Sequence, residues 1–343
     1  MTTERYYDWQ KTLSYDAPVT MIISARGIGK TYGMRRQFIH DYLAHGWRFA
    51  DISRYDAGST DLQADYFDKV GREQYPDIAF KCEGGKAYMA RDPKHEQWEL
   101  FGYFLAMTQF QRIKRQNFAN VKRLMLDECV LEKMDKHHTY LPDEWKILTS
   151  IVDSVTREHA DSTIKPRLYL CGNACDILNP YFEAANISGE PPRGYSWHRG
   201  KTMLVHYDDT RAYAKTKAKT LAGRMGDNDT VSALNSFETV NSDIIASKSE
   251  RATHLITLAF GNRKLGIWVD TREGLYYATT KTPKDNRDTY ALMTETAPNY
   301  PVIRRTHKLL KALFEAYNLR YMRFDSVRTH GLFADIMRWC GWR

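Results

Sequence analysis

Eight consecutive residues, Ser24-Ala25-Arg26-Gly27-Ile28-Gly29-Lys30-Thr31, concentrate more chemistry than any other stretch of the sequence. Small side chains and two glycines let backbone N–H groups curl around an anion, and a helix starting here adds the partial positive charge of its N-terminus. The apolar run Val19-Thr20-Met21-Ile22-Ile23 before it reads as a buried strand, and residues 32–39 after it as a helix. Strand, glycine-containing loop, Gly-Lys-Thr and helix is the context of a nucleotide-binding P-loop. In that context Lys30 reaches the β- and γ-phosphates of ATP and the Thr31 hydroxyl ligates Mg²⁺. Ser24 stands where the first glycine of such a loop usually is, a change expected to cost a little backbone freedom.

A second stretch, Arg123-Leu124-Met125-Leu126-Asp127-Glu128, ends an apolar run in two carboxylates. It reads as a parallel strand delivering both acids to the P-loop side of a sheet. Asp127 then belongs to the Mg²⁺ shell opposite Thr31, and Glu128 polarises the attacking water as general base. Residues 142–158 predict a helix, because Trp145, Leu148, Ile151, Val152 and Val155 recur at helical spacing. Arg157 near its end reads from the residues alone as an ordinary exposed arginine; the sharper alternative is an arginine finger reaching a neighbouring subunit's γ-phosphate. Asn173 follows another strand-like run, Arg167-Leu168-Tyr169-Leu170-Cys171-Gly172. Its amide either satisfies a turn or senses the γ-phosphate and couples hydrolysis to movement.

Positioning these groups takes a sizeable sheet. The chain has 343 residues, 43% hydrophobic and 27% charged, which suits two domains better than one. Further strands are expected at residues 47–53, with Arg54 at the ligand-facing edge, and at 100–107 and 202–207. A helix is expected at 66–75, a hairpin turning at Gly84-Gly85 within 78–89, and a basic loop or short helix at 109–117. These define a first domain over residues 1–207, followed by a polar, partly helical linker over 208–230 with a hinge at Gly223-Arg224-Met225-Gly226-Asp227-Asn228-Asp229. The second domain, 231–343, changes rhythm. Strands at 253–260, 264–270 and 275–280 form a meander, then helices follow at 302–317 and 326–339, a small α/β or α+β module. Asp270 and Glu273 are the candidates there for a metal-dependent nuclease, which needs several converging carboxylates, and no convincing set is found.

No apolar run approaches the ~18 residues needed to span a membrane, and the first residues lack the apolar segment of a signal peptide. A cytoplasmic location without a membrane partner is expected. The five cysteines form no Cys-x-x-Cys pair and read as reduced, mostly buried thiols; His137-His138 reads as a solvated loop rather than a metal site. Net charge is +8 with a pI near 9.0, and residues 301–343 carry nine lysines and arginines against three acids. A basic excess is often only a solvated face. Beside a nucleotide hydrolase it points to DNA or RNA, with Arg304, Arg305, Lys308 and Lys311 as contacts.

Several stretches resemble the genome-packaging motor ATPases of small podovirus-like bacteriophages. They are Leu13-Ser14-Tyr15-Asp16, Ala25-Arg26-Gly27-Ile28-Gly29-Lys30, Asn173-Ala174 with Asn179-Pro180-Tyr181-Phe182, and Leu265-Gly266-Ile267-Trp268-Val269-Asp270. Asn-Pro-Tyr-Phe and Gly-Ile-Trp-Val-Asp are more specific than the P-loop. The resemblance implies a P-loop NTPase of the additional-strand (ASCE) class with a mostly parallel sheet, and a smaller RNase H-like second domain that has lost nuclease activity. It also implies a pentameric ring at a phage portal that pumps double-stranded DNA into a procapsid. Some members of such a family use a structural RNA at the portal, which makes RNA a candidate partner. By similarity Arg157, in Val152-Asp153-Ser154-Val155-Thr156-Arg157, falls at the trans-acting finger, and Asn173 at the coupling residue. Two rivals remain: a terminase-like ATPase that also cuts DNA, and a non-motor P-loop protein such as a small-molecule kinase or a nucleotide-gated binding module.

Overall fold

A computed structural model describes residues 6–55, 65–92, 94, 96–131, 140–157, 165–187, 189–225, 242–261, 263–285, 287–293 and 297–342. The chain divides into two compact units, Met1–Cys175 with Pro191–Ser236, and Asp176–Glu190 with Phe237–Arg343. This partition differs from the one expected from sequence: residues 176–190, including Asn179-Pro180-Tyr181-Phe182, join the second unit, and the helices after residue 207 belong to the first. The part of the expected hinge beyond Met225, and His137-His138, lie outside the described residues.

The first unit is built on a nine-stranded sheet. Its strands are β1 (Val19–Ile23), β2 (Arg48–Ser53), β3 (Ala79–Glu83), β4 (Lys86–Ala90), β5 (Glu99–Ala106), β6 (Val121–Leu126), β7 (Arg167–Gly172), β8 (Gly194–His198) and β9 (Met203–Tyr207). They lie in the order β3-β4-β5-β2-β6-β7-β1-β9-β8. The six strands from β5 to β9 in that order pair in parallel. Antiparallel hairpins extend both edges, β3–β4 against β5 and β8 against β9. Buried on both faces, the central strands are almost continuously apolar, as parallel strands must be: Met21, Ile22 and Ile23, Leu124 to Leu126, and Leu168 to Cys171 are all buried. The β8 edge was not expected; the strand expected at 202–207 is β9, with β8 paired outside it.

One face packs on the helix Lys30–His45, whose Met34, Phe38 and Ile39 are buried. Phe38 stacks on Phe49 of β2 at 4.4 Å, and Phe67 and Phe101 complete an aromatic core around that ring. The basic segment expected at 109–117 forms a short helix, Phe110–Ile113, followed by turns.

The second unit carries a five-stranded sheet of β10 (Thr253–Phe260), β11 (Arg263–Asp270), β12 (Leu275–Thr279), β13 (Thr289–Ala291) and β14 (Met322–Phe324), in the order β13-β10-β11-β12-β14. The three central strands form the expected antiparallel meander, and β13 and β14 add in parallel at its edges. The helices Lys308–Asn318 and Val327–Trp339 place Leu310, Leu313, Phe333 and Ile336 in its core. The expected helix at 302–317 begins later than its apolar pattern suggested. Val302 bridges to Ala291 and Ile303 donates to the Ala291 carbonyl at 3.0 Å, so this stretch is extended until His307 caps the helix by accepting from the Leu309 N–H. Asn179 caps the helix Pro180–Ala185 through the Phe182 N–H at 2.9 Å. Pro180 fits the first helical turn, where no N–H is needed, and Tyr181 and Phe182 are fully buried.

Candidate nucleotide site

Five parallel strands of the first unit release their chemistry at their C-terminal ends, where ligands bind open α/β sheets. In spatial order, Arg54 follows β2, Asp127 follows β6, Asn173 follows β7, Ser24 follows β1 and Asp208 follows β9. The register aligns these ends, with Ile52 beside Leu126, and Ile23 beside both Gly172 and Tyr207.

The loop from Ser24 turns through Gly27 (φ +85°) and Gly29 (φ +92°) into the helix that starts at Lys30. Positive φ is where glycine alone is at ease, and a Cβ on Gly27 would lie 2.8 Å from the Tyr213 hydroxyl. Ser24 keeps a negative φ, so the backbone cost expected of a serine here does not arise. Its hydroxyl instead donates to Asp208 Oδ2 at 2.8 Å. The outward carbonyls of the loop are also taken up: Tyr7 N–H donates to Ile28 O at 3.0 Å, the Trp9 indole to Lys30 O at 3.0 Å, and Tyr213 Oη and Lys217 Nζ to Arg26 O at 3.1 and 3.3 Å.

Lys30 is buried beneath this loop. Its ammonium donates to the carbonyls of Ser24 and Ala25 at 3.3 and 2.9 Å and to Asn173 Oδ1 at 3.1 Å. Burial lowers its pKa, partly offset by the nearby Asp127 carboxylate. An incoming polyphosphate would relieve that desolvation, since anions stabilise the charged ammonium. The Thr31 hydroxyl donates to Asp127 Oδ2 at 2.6 Å, so an alcohol and a carboxylate oxygen meet beside the glycine-containing loop. Oxygen donors of this kind suit a hard cation such as Mg²⁺. Asp127 Oδ1 meanwhile accepts the Glu128 N–H at 3.0 Å.

Glu128 is exposed in the turn after β6 and holds a left-handed backbone, φ +52°. Arg157 is exposed immediately after the helix Glu144–Thr156. Arg54, expected as a ligand-facing group, is instead buried: its guanidinium is paired with Glu144 at 2.9 Å. Two further groups escaped sequence reasoning. Asp208 had no flanking signal beyond its place after an apolar strand. Asp51 on β2 accepts from Tyr66, and burial pushes its carboxyl up to about 7, with the Asp127 charge adding to the shift. The thiols of Cys129 and Cys171 are buried and pushed up, Cys129 to about 12, which keeps them neutral beside the site.

The basic residues of the second unit are at its surface. Arg304, Arg305, Lys308 and Lys311 are all exposed, but Arg305 lies over the Trp339 ring at 4.0 Å and Lys311 is 3.9 Å from Glu315. Asp270 accepts from the Ser249 hydroxyl and from the Arg272 and Glu273 N–H groups, which hold its carboxyl below the usual range. Among the described residues no three His, Cys, Asp or Glu side chains gather as a metal site. No helix among them is long and apolar enough to cross a membrane.

Comparison with known proteins decides the lineage. The family model of the podovirus DNA encapsidation protein (Gp16) matches residues 1–339. The chain belongs to that family. It is 25% identical over 344 aligned positions, covering 98% of each chain, to the DNA packaging protein of Bacillus phage phi29. Its structure resembles the bacteriophage phi29 genome packaging motor assembly with a TM-score of 0.72 at 25% identity, over 98% of this chain and 99% of that one. The N-terminal domain of the phi29 packaging ATPase matches with a TM-score of 0.51 at 26% identity, over 61% of this chain and 98% of that one.

Proposed function

We propose that this Gp16-family chain is the ATP-hydrolysing subunit of a phage DNA-packaging motor, which drives double-stranded DNA through a portal into a procapsid. The observation that carries the reading is the meeting of Thr31 and Asp127 at 2.6 Å beside a loop whose Lys30 is buried beneath it. Strand order supports the additional-strand P-loop class: β7 lies between β1, which delivers the loop, and β6, which delivers the acids.

In this reading the backbone N–H groups of Ala25 to Thr31 cradle the ATP phosphates, and Lys30 pairs with the β- and γ-phosphates; the Ser24 N–H, expected in the cradle, is instead spent on the Gly172 carbonyl at 3.1 Å. Thr31 and Asp127 hold Mg²⁺, which neutralises charge on the β- and γ-phosphate oxygens. Glu128 accepts a proton from the water that attacks the γ-phosphorus. Asn173 shares Lys30 with the loop carbonyls, so a phosphate that draws the ammonium away changes the amide's partner and registers occupancy. Arg157, exposed at a helix end, supplies positive charge to a neighbouring subunit's γ-phosphate within a homo-oligomeric ring, a pentamer by resemblance. The second unit is read as RNase H-like and nuclease-inactive; the engagement of Asp270 in a turn supports the latter. Its exposed Arg304 and Lys308, with Arg305 and Lys311, are read as contacts to DNA or to a structural RNA at the portal. The motor would act in the host cytoplasm, transiently at the portal vertex.

The test is ATP hydrolysis with and without double-stranded DNA. DNA should stimulate turnover, and Glu128→Gln should bind ATP normally while losing about 10²–10⁴-fold in turnover, the contribution typical of a general base. Unstimulated hydrolysis would refute the motor reading, and near-normal turnover in Glu128→Gln would remove Glu128 from its role.

A further inference from the structure

Arg54 and Glu144 form a buried ion pair with side-chain exposures of 6% and 0%. Arg54 Nε lies 3.1 and 2.9 Å from the two Glu144 oxygens. The rest of the guanidinium reaches the turn after β6: Nη1 donates to the Glu128 carbonyl at 3.2 Å and Nη2 to the Cys129 carbonyl at 3.0 Å. The Tyr140 ring lies 5.2 Å from the guanidinium carbon. Glu144 also accepts the Leu141 N–H at 2.8 Å, and it opens the helix that ends at Thr156, just before Arg157.

A buried ion pair is weak evidence of stabilisation, because desolvation offsets most of the attraction; apolar residues of similar volume often do as well. What apolar residues cannot do is donate to two adjacent backbone carbonyls. The first of those carbonyls belongs to Glu128 itself, held at φ +52°, a conformation disfavoured for an L-residue with a Cβ, and the second to the residue that follows it. The Cys129 N–H is fixed separately by the Cys171 carbonyl at 2.8 Å. We infer that Arg54 and Glu144 are positioning residues for the reaction: their pair locks the left-handed turn that aims the Glu128 carboxylate and ties that turn to the helix leading to Arg157. Arginine is required because its planar fork serves a carboxylate and two carbonyls at once, which the single point charge of lysine does not.

The inference rests on Glu128 being the water-activating acid, and the experiment separates the two. Thermal midpoint, ATP affinity and kcat are measured under the same assembly conditions for the parent chain, Glu128→Gln, Arg54→Met/Glu144→Leu and Arg54→Lys. The double variant removes both charges, so its stability should return close to that of the parent. Its ATP affinity should stay within about two-fold, while kcat falls at least about ten-fold, as expected when a reacting group is misplaced rather than lost. Arg54→Lys keeps the charge opposite Glu144 and should show the same split of lowered kcat with unchanged affinity. A double variant that recovers both stability and kcat would make the pair a strut and overturn the inference. If the double variant does not fold, parent-like kcat in Arg54→Lys overturns it equally. Should Glu128→Gln retain turnover, the acid reading fails and the positioning role falls with it.

Discussion

Ser24 offers a sharp test of how the loop proposed to bind phosphate is held. Replacing it by glycine restores the commoner residue of such loops, and intuition from the motif predicts no loss. The structure predicts the opposite. Ser24 is 2% exposed and keeps a negative φ, so glycine gains nothing from its backbone freedom. Its hydroxyl donates to Asp208 at 2.8 Å, and a hydrogen bond to a charged group contributes about 1.5–3 kcal/mol. The Asp208 side chain is 20% exposed and recovers some hydration when the serine is cut back, which places the loss from Ser24→Ala near ~1.5 kcal/mol. Ser24→Gly adds about 0.4–1 kcal/mol of unfolded-chain entropy. For a unit of about 200 residues each kcal/mol moves the midpoint by about 2–4 °C, so alanine should melt roughly 3–6 °C lower and glycine lower still. The assay is a thermal melt of the three proteins, with ATP titration of the folded state. Because the hydroxyl faces Asp208 rather than the cradle, affinity should change little. A glycine variant as stable as the parent would refute the argument that Asp208 anchors the loop.

Three other outcomes are expected. Burial lowers His330 to about 4, below the ordinary 6.5, so between those values the unfolded chain takes up a proton the folded chain refuses. Stability should therefore fall as pH drops from 6.5 to 4, by up to ~3 kcal/mol, and urea midpoints of His330→Gln should show a shallower slope over that window; identical slopes would show that His330 does not contribute. Arg157→Ala should bind ATP and lose turnover, and mixing it with Glu128→Gln should restore some activity, because one interface then pairs an intact acid with an intact finger; no recovery would place the arginine within its own chain. Removing Arg304 and Lys308 together should weaken DNA or RNA binding and flatten its salt slope by up to about 2, whereas Arg305→Ala should act through lost packing on Trp339; an unchanged salt slope would assign the pair to a solvated face.

The places of the candidate groups were legible because each follows a short, mostly apolar run. Val19–Ile23, Val121–Leu126 and Arg167–Gly172 are buried parallel strands, and a polar residue ending such a run must emerge at the sheet's edge. The strand β8 was hidden because its face is only half buried and Tyr195, Ser196 and His198 carry polar atoms. The three-residue strands β13 and β14 are too short to show a period. Val302 and Ile303 looked like a helix face yet are held by backbone bonds to Ala291, a tertiary demand that outweighs local pattern. Arg54 was visible at a strand end, but its partner lies ninety positions away in sequence, and nothing local distinguishes a buried brace from a ligand-facing group.

That contrast has a spatial logic. Across the sheet, the order β2-β6-β7-β1-β9 puts the groups proposed to react on the inner three strands: Asp127 and Glu128 after β6, Asn173 after β7, and the loop with Lys30 and Thr31 after β1. The braces come from the outer two. Arg54 after β2 holds the carbonyls of Glu128 and Cys129, and Asp208 after β9 holds Ser24. Each brace grips one end of this set, and Lys30 meets Asn173 between them. Changes on β2 and β9 should then alter the two ends separately, the acid's aim or the loop's stability, and combined variants of Arg54 and Ser24 should be close to additive in their effect on stability, as expected for distant sites without shared partners. Strong coupling between them would mean that the strands between transmit strain, and that the site responds as one piece.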